Sequence, residues 1–287
     1  MMNLPNRTRL GATFHRTFPL RRNQIQDVLQ TIYESESNSN TGDWSREVLR
    51  ETTSIGTRQA ESAPRYAYGS GLLDGNNKLT QFGKLVYEND PMLEKESTLW
   101  LMHYYLSSPN GYGPSYWHDI VATRFRISET IYKEALAEQI AAHVANVEDR
   151  DFASRYAKSC ANILLKTYTE LDGLALLGIM QTGENENYYV LQEPDPPPVF
   201  AFAVALLDFW QYQFPNRLTI NLDELYVDGG LISIFMIGEG RLNRYLRSLQ
   251  QEGIVDVFRV APPYQVVLLN PDLPYVLDRL YSNDDSE

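Results

Sequence analysis

Four prolines within five residues, Pro194 and Pro196 to Pro198, interrupt the chain at about two thirds of its length. Because proline lacks a backbone N–H and fixes φ, this run cannot continue a helix or lie in a central strand. A second break, the polar turn Glu88 to Pro91, follows the apolar stretch Leu79 to Tyr87. The two breaks predict three parts, residues 1–90, 91–193 and 198–287, each of ordinary domain size.

The part after the proline run has the element order of a winged helix-turn-helix, in which three helices precede a β-hairpin. Gly253 follows a periodic segment, as expected of a helix C-terminal cap. In chain order the segments are a helix over Pro198 to Phe214, a short strand and brief helix over Thr219 to Leu225, an apolar segment over Ser233 to Ile237, a helix over Glu239 to Gln251, and two β-rich runs over Ile254 to Val260 and Gln265 to Leu269.

The first part repeats this order in a weaker form. Its predicted segments are helices over Arg22 to Glu34, Ser45 to Glu51 and Thr57 to Tyr68, and a small wing made of Leu72-Leu73 and Lys78 to Thr80. Pro64 lies inside the third of these helices, where it removes a hydrogen bond and favours a bend.

The middle part is predicted to be mainly helical. Its periodic segments are Ser97 to Leu106, Ser128 to His143 with Ser128 as the N-terminal cap, and Asp151 to Tyr168, followed by a strand over Tyr188 to Leu191. A degenerate third winged unit in this part is an alternative that the sequence leaves undecided. The predicted fold class is therefore mainly α with small β-hairpin wings, arranged as tandem winged-helix units around a helical middle domain.

The charge of the chain excludes some functions and leaves others open. A formal net charge of −12 argues against a protein that coats nucleic acid or anionic lipid through bulk charge. Residues 1–70 differ from the rest, because they hold nine arginines, no lysine and seven acidic residues. The early arginines, Arg7, Arg9, Arg16, Arg21 and Arg22, favour either phosphate contacts or a strap that docks on the acidic remainder of the same chain.

Two predicted helices, Thr57 to Tyr68 and Glu239 to Gln251, carry candidate nucleic-acid contacts. Winding Glu239 to Gln251 at 100° per residue places three leucines on one face and three arginines on the other. Arginine, asparagine and glutamine side chains match the phosphates and base edges of a major groove. The full set of predicted nucleic-acid-binding residues is Arg16, Arg21, Arg22, Arg58, Arg65, Arg241, Asn243, Arg244 and Arg247.

Catalytic and cofactor motifs are not found in the sequence. The four histidines, His15, His103, His118 and His143, have no helical metal-ligand spacing, and no phosphate-binding glycine motif occurs. We therefore predict no enzyme activity, no cofactor and no metal, with His103 and the single Cys160 as core residues. One cysteine fits a reducing compartment, and the longest apolar run is too short for a membrane span, so we expect a cytoplasmic protein without membrane contact.

The segment Phe14 to Arg21, FHRTFPLR, resembles the FHETFPLR-type opening of a bacterial family named domain of unknown function 4007. The agreement continues in order through Leu79 to Leu85, Glu96 to His103 and Lys166 to Tyr168. That family is found beside genes of DNA phosphorothioation and related phage defence, including sulfur-transfer components. The resemblance implies a DNA-associated accessory role and no established activity.

Taken together, residues and resemblance predict a non-enzymatic DNA-binding accessory component of a modification-based phage-defence system. The expected partners are double-stranded DNA, modified or not, and other proteins of the defence system, and a homodimer stays open. Two alternatives remain. One is an adaptor that docks an ATPase, nuclease or sulfur-transfer partner, and the other is a transcriptional regulator of the same locus.

Overall fold

The computed structural model describes residues 7–37, 46–53, 56–148, 151–226 and 229–282. The helices are α1 (Arg22–Ser37), α2 (Arg46–Thr52), α3 (Gln59–Gly69), α4 (Gln81–Asn89), α5 (Glu96–Ser107), α6 (Ser115–Arg124), α7 (Lys133–Glu148), α8 (Ser154–Thr169), α9 (Val199–Gln213), α10 (Leu231–Ile234), α11 (Glu239–Gln251) and α12 (Leu273–Leu277). The strands are β1 (Thr130–Tyr132), β2 (Met180–Thr182), β3 (Tyr188–Leu191), β4 (Thr219–Asn221), β5 (Val255–Phe258) and β6 (Gln265–Leu268). The fold is mainly helical, with two small antiparallel sheets.

The first part contains the three predicted helices, with α1 packed against α2, α3 and α4. Pro64 lies inside α3 without ending it. The predicted wing is reduced to one antiparallel bridge between Leu73 and Leu79. The chain has no room for a longer hairpin, because Thr80 already caps α4 by accepting a hydrogen bond from the Gly83 N–H at 2.9 Å. Ser45, the first residue of the predicted second helix, lies outside the described residues.

The middle part corrects one prediction. Residues 130–132, expected at the start of a helix capped by Ser128, form β1 instead, and α7 begins only at Lys133. The reason is tertiary: Ile131 pairs with Tyr189, and β2 pairs with the other edge of β3, so the sheet order is β1-β3-β2. Helix α6 was not predicted, whereas β3 is confirmed.

The last part follows the predicted order. Helix α9 leads to β4, a short 3-10 helix over Leu222–Tyr226 and α10, and α11 precedes the hairpin of β5 and β6. The sheet order is β4-β6-β5, with β6 antiparallel to both neighbours. Gly253 has a φ of +69°, the left-handed conformation expected for the cap after α11.

The three parts share one hydrophobic core. Helix α9 explains the continuity, since it packs against α5, α11 and α12 and its residues 200–210 are all buried. Buried side chains from all three parts form a single contiguous cluster around it. Within the described ranges, none of the helices combines the length and the apolar character needed to cross a membrane.

A buried hydrogen-bond chain joins four helices through His103, which is confirmed as a core residue at 0% exposure. The His103 Nε2 lies 2.8 Å from the Ile234 carbonyl oxygen, so Nε2 carries the proton and donates. The Nδ1 atom accepts from the Tyr168 hydroxyl at 2.7 Å, and that oxygen accepts from the Trp117 indole N–H at 3.1 Å. Each polar atom in this series of hydrogen bonds thereby has a partner away from water.

The buried His103 predicts that the stability of the protein depends on pH. Burial lowers the pKa of His103 to about 4, although the hydrogen bond to Ile234 opposes this shift. The unfolded state binds a proton near pH 6.5 and the folded state only near pH 4, so stability is lost as the pH falls between these values. We expect His103 to account for a loss of about 3 kcal/mol across this window.

The measurement is urea unfolding at several pH values for the wild-type chain and for His103→Gln, whose amide can also donate and accept. The variant is expected to lose less stability between pH 6.5 and pH 4 than the wild type. Carboxylates titrate in both proteins, so the difference between the two curves isolates His103. Parallel curves would contradict the prediction.

Candidate nucleic-acid interface

Helix α11 separates an apolar face from a basic one. Leu242, Leu246 and Leu249 are 0% exposed and belong to the core. The residues of the opposite face include the exposed Arg244 and Arg247, with Arg241 and Asn243 half-buried at its margin. The sequence therefore predicted this helix and its two faces correctly.

The β5–β6 hairpin adds an arginine to this face that the sequence analysis missed. Arg259, which follows β5, donates from Nη2 to the Asn243 Oδ1 at 2.5 Å. Asn243 also accepts at its backbone oxygen from the Arg247 Nε at 3.3 Å. We call Arg241, Arg244, Arg247 and Arg259 the basic face. The sequence could have identified Arg259, because it lies near the end of a predicted strand directly after the arginine-bearing helix.

The positive charge of the basic face affects the pKa of Tyr245, which lies on the inner side of α11. Burial raises the pKa of Tyr245 above its ordinary value, while the nearby charges of Arg241 and Arg244 act to lower it. The acidic residues at the two ends of α11 have different surroundings. Glu239 is exposed in the first turn, whereas Glu252 pairs with Arg279 at 2.8 Å.

The earliest arginines form the strap that the sequence analysis considered. Arg7 makes a two-pronged ion pair with Asp208 of α9, including a contact of Nη1 with Oδ2 at 3.0 Å, and its guanidinium lies 4.1 Å from the centroid of the Tyr212 ring. Burial alone would lower the pKa of Arg7, but Asp208 raises it above its ordinary value. Arg9 donates to backbone oxygens, among them Ser108 at 3.2 Å. These two arginines therefore hold the chain together.

Three predicted contact residues are also engaged within the chain. Arg22 is 8% exposed and donates to the backbone oxygens of Leu93 and Leu171, at 2.9 and 2.7 Å. Arg21 pairs with Glu170 at 3.0 Å. Arg65 donates to the Phe14 oxygen at 3.1 Å. Buried and bonded in this way, Arg22 is directed into the protein, and we omit it from the interface.

The remaining two, Arg16 and Arg58, lie together in a separate place. Both are exposed and both line a cavity of about 650 Å³ between the turn at residues 12–17, the start of α3 and the start of α8. Arg16 pairs with Glu61 of α3 at 3.0 Å. The structure thus divides the predicted site residues into the basic face, a structural group and this cavity.

Among the residues that the structure describes, no group of three or more His, Cys, Asp or Glu side chains is placed to hold a metal ion. We therefore assign no metal ligands. The chemistry that the two arginine-bearing sites offer is anion binding by guanidinium groups.

Two solved structures resemble this fold along nearly its whole length. One is described as an SspB crystal structure, with a TM-score of 0.74 and 17% identity, and the similarity covers 96% of this chain and 89% of that one. The other is described as a magnesium ion-bound SspB crystal structure, with a TM-score of 0.75, 18% identity and the same coverage. At this identity the likeness shows the fold alone. No curated protein sequence matches the chain.

The family comparison is a match to sequence, and it includes nearly all of the turn at residues 12–17, the whole of α11 and most of the last hairpin. The model of the family described as protein of unknown function (DUF4007) matches residues 13–267, and the chain therefore belongs to that family.

Proposed function

We propose that the chain is a non-enzymatic DNA-binding accessory component of a DNA-modification-based defence system. The observation that carries the proposal is the basic face, in which three arginines of α11 and Arg259 of the hairpin lie on one side of the molecule's last part. The defence context comes from the family resemblance drawn on the sequence.

The topology around the basic face supports this reading. The last part has the element order expected of a winged helix, in which helices precede a β-hairpin, and its sheet order is β4-β6-β5. In helix-turn-helix proteins the recognition helix presents its outer residues to the major groove. In the proposed function, α11 would act as the recognition helix, and the hairpin that follows it would lie beside the DNA backbone.

The net charge of −12 does not oppose this local contact. Charges separated by more than about 8–10 Å are largely screened at physiological salt, so a patch acts mainly through its own residues. Arginine also suits both phosphates and guanine edges because its fork can donate two hydrogen bonds at once. A protein of this kind would bind DNA through few contacts and with a moderate salt dependence.

The test is a titration of duplex DNA, phosphorothioated and unmodified, at two salt concentrations, read by fluorescence anisotropy. We expect binding that weakens with salt, with log K falling by about 0.9 per log unit of salt for every phosphate neutralised. Absence of binding to both duplexes at low salt would overturn the proposal. Binding restricted to the promoter of its own locus would favour the transcriptional regulator.

A magnesium arm tests the non-enzymatic part of the proposal. One structural neighbour is described as magnesium ion-bound, so the same DNA is incubated with the protein and Mg²⁺ and examined on a denaturing gel. Intact strands are expected. Strand scission that requires both the protein and Mg²⁺ would contradict the non-enzymatic assignment while leaving DNA binding in place.

An adaptor function is the second candidate, and apolar residues of the hairpin favour it. Phe258, Val260 and Tyr264 are 49%, 97% and 41% exposed. Exposed apolar groups at a loop tip are suited to contacts with a protein partner. Replacing Val260 by Ser separates the two functions through capture of a defence-system protein: an adaptor would lose that partner, whereas a protein that acts through DNA binding alone would show no change in partner capture or in DNA affinity.

A further inference from the structure

The cavity lined by Arg16 and Arg58 has the size and the chemistry of a ligand site. Its volume of about 650 Å³ lies within the range of about 300–1,000 Å³ typical of small-molecule sites. We infer that this cavity binds a nucleoside phosphate, with the phosphate held by Arg16 and Arg58 and the base placed against Tyr156. The inference is independent of the basic face and of the proposed function.

The two arginines come from different elements and meet at one cavity. Arg16 belongs to the turn at residues 12–17, and Arg58 directly precedes α3. Glu61 neutralises one charge, since its Oε2 lies 3.0 Å from the Arg16 Nε. The three residues together carry one net positive charge in a chain whose net charge is −12. An entering phosphate can take the place of Glu61 on Arg16 and gain Arg58 as a second partner.

The turn that carries Arg16 has an uncommon backbone conformation. Arg16 and Thr17 have φ values of +49° and +77°, and positive φ is a genuine outlier for a β-branched residue such as Thr17. The turn is fastened from inside, because His15 Nδ1 accepts from the Thr17 N–H at 3.1 Å and His15 Nε2 lies 3.4 Å from the Cys160 Sγ of α8. Strained backbone of this kind clusters at ligand sites. It presents the Arg16 side chain at the cavity.

The buried His15 keeps the floor of the cavity neutral. Burial lowers the pKa of His15 to about 4, so the ring is uncharged at neutral pH. The positive charge of the cavity therefore belongs to the exposed arginines at its mouth. Hydroxyl groups of Thr17 and Ser159 also line the cavity and are suited to hydrogen bonds with a sugar or a phosphate.

An aromatic wall provides the surface for a base. Phe152 and Tyr156 line the cavity next to each other, with ring centroids 6.0 Å apart. Tyr156 remains 45% exposed, and the guanidinium of Arg155 lies 4.8 Å from the centroid of its ring. Bases stack on such rings with little sequence preference. A phosphate site beside an aromatic ring is the combination that a nucleotide matches and a bare inorganic anion does not.

The test is isothermal titration calorimetry on the full chain with 2′-deoxyadenosine 5′-monophosphate, 2′-deoxyadenosine and inorganic phosphate. We expect the monophosphate to bind about tenfold or more tightly than either of its parts, since only the monophosphate engages both the arginines and the ring. Equal affinity for the monophosphate and the nucleoside, or no binding of the monophosphate in the millimolar range, would overturn the inference.

Two sources of this ligand are distinguished by a further arm with a short 5′-phosphorylated DNA strand. Competition of the strand with the mononucleotide would identify a strand end as a ligand. Binding of the mononucleotide without competition would identify the free nucleotide. Either result supports the nucleoside phosphate as the chemistry recognised by the cavity.

Variants locate the binding at the cavity. Arg58→Ala is expected to weaken binding about tenfold or more, and Tyr156→Ala about tenfold, whereas Tyr156→Phe keeps the stacking surface and the affinity. Glu61→Gln should instead tighten binding several-fold, because it releases Arg16 and removes a repelling charge. A merely structural role for Glu61 would not produce this gain.

Arg124→Ala is the matched control, since Arg124 is an exposed arginine of α6 outside the cavity. It should leave nucleotide binding unchanged. An unchanged affinity in Arg58→Ala would overturn the site, and melting curves verify that each variant is folded. Failure here is separable from failure of the proposed function, because neutralising the basic face should affect duplex binding and leave nucleotide binding as it was.

Discussion

Replacing Arg7 by Met is expected to lower the free energy of unfolding by about 3–5 kcal/mol, the usual cost of breaking a buried ion pair. The side chains of Arg7 and Asp208 are only 8% and 2% exposed. The variant leaves the Asp208 carboxylate buried, with the Tyr104 hydroxyl at 2.8 Å as a remaining donor. A single neutral hydrogen bond cannot compensate for the lost guanidinium. Urea unfolding at neutral pH measures the difference.

Two controls separate the ion pair from simple loss of packing. The double variant Arg7→Met with Asp208→Leu removes both charges, and we expect it to be more stable than Arg7→Met alone, because no uncompensated charge stays buried. Lys158→Met breaks the exposed ion pair with Glu134, which joins Nζ and Oε2 at 2.9 Å, and should cost less than about 1 kcal/mol. Equal losses in Arg7→Met and Lys158→Met would show that the buried pair contributes little.

Replacing Arg241, Arg244 and Arg247 together by Ala is expected to reduce duplex affinity by roughly 100-fold, if each contact contributes about 1 kcal/mol. The salt slope should flatten by about one unit for each lost phosphate contact. Folding should survive, because these residues lie opposite the buried leucines of α11 and alanine favours helix formation. Anisotropy titrations at two salt concentrations measure both effects.

The matched control for this variant removes the same charge elsewhere. Lys84, Arg124 and Lys158 are exposed, and their joint replacement by Ala also lowers the net charge by three. We expect this control to retain most of the duplex affinity. If both triple variants lose affinity equally, bulk charge explains the binding. If neither loses it, α11 is not the DNA-binding element, and Arg16, Arg21 and Arg58 remain to be tested.

The local sequence pattern was sufficient to predict much of the fold. The apolar stripe of α11, its cap at Gly253 and the two β-rich runs after it are signals within a few residues of one another, and the structure confirms all three. Strand β1 could not be found in this way. Its three residues have a helix-like neighbourhood, and only their pairing with β3, some 60 residues later in the chain, decides their conformation.

The same distinction applies to the sites. The three arginines of α11 share a face by periodicity alone, so the sequence predicted them as a group. The burial of Arg22 depends on the Leu93 and Leu171 oxygens, which lie 71 and 149 residues away along the chain. The cavity likewise assembles residues from around positions 15, 58 and 156, and no spacing rule connects them. Contacts of this range follow from the folded chain and leave no local pattern.

The strap of Arg7 and Arg9 bears on how the chain acquires its structure during synthesis. Arg7 leaves the ribosome 201 residues before its partner Asp208, whereas domains ordinarily complete their folding in N-terminal order as they emerge. Here the segment made early has to wait for α9, and closing so long a loop is entropically costly until the rest of the core has formed. Arg7 therefore has to wait for α9 on the nascent chain, whereas the partners of Arg9 are made about 100 residues earlier, so the strap is expected to dock in two steps.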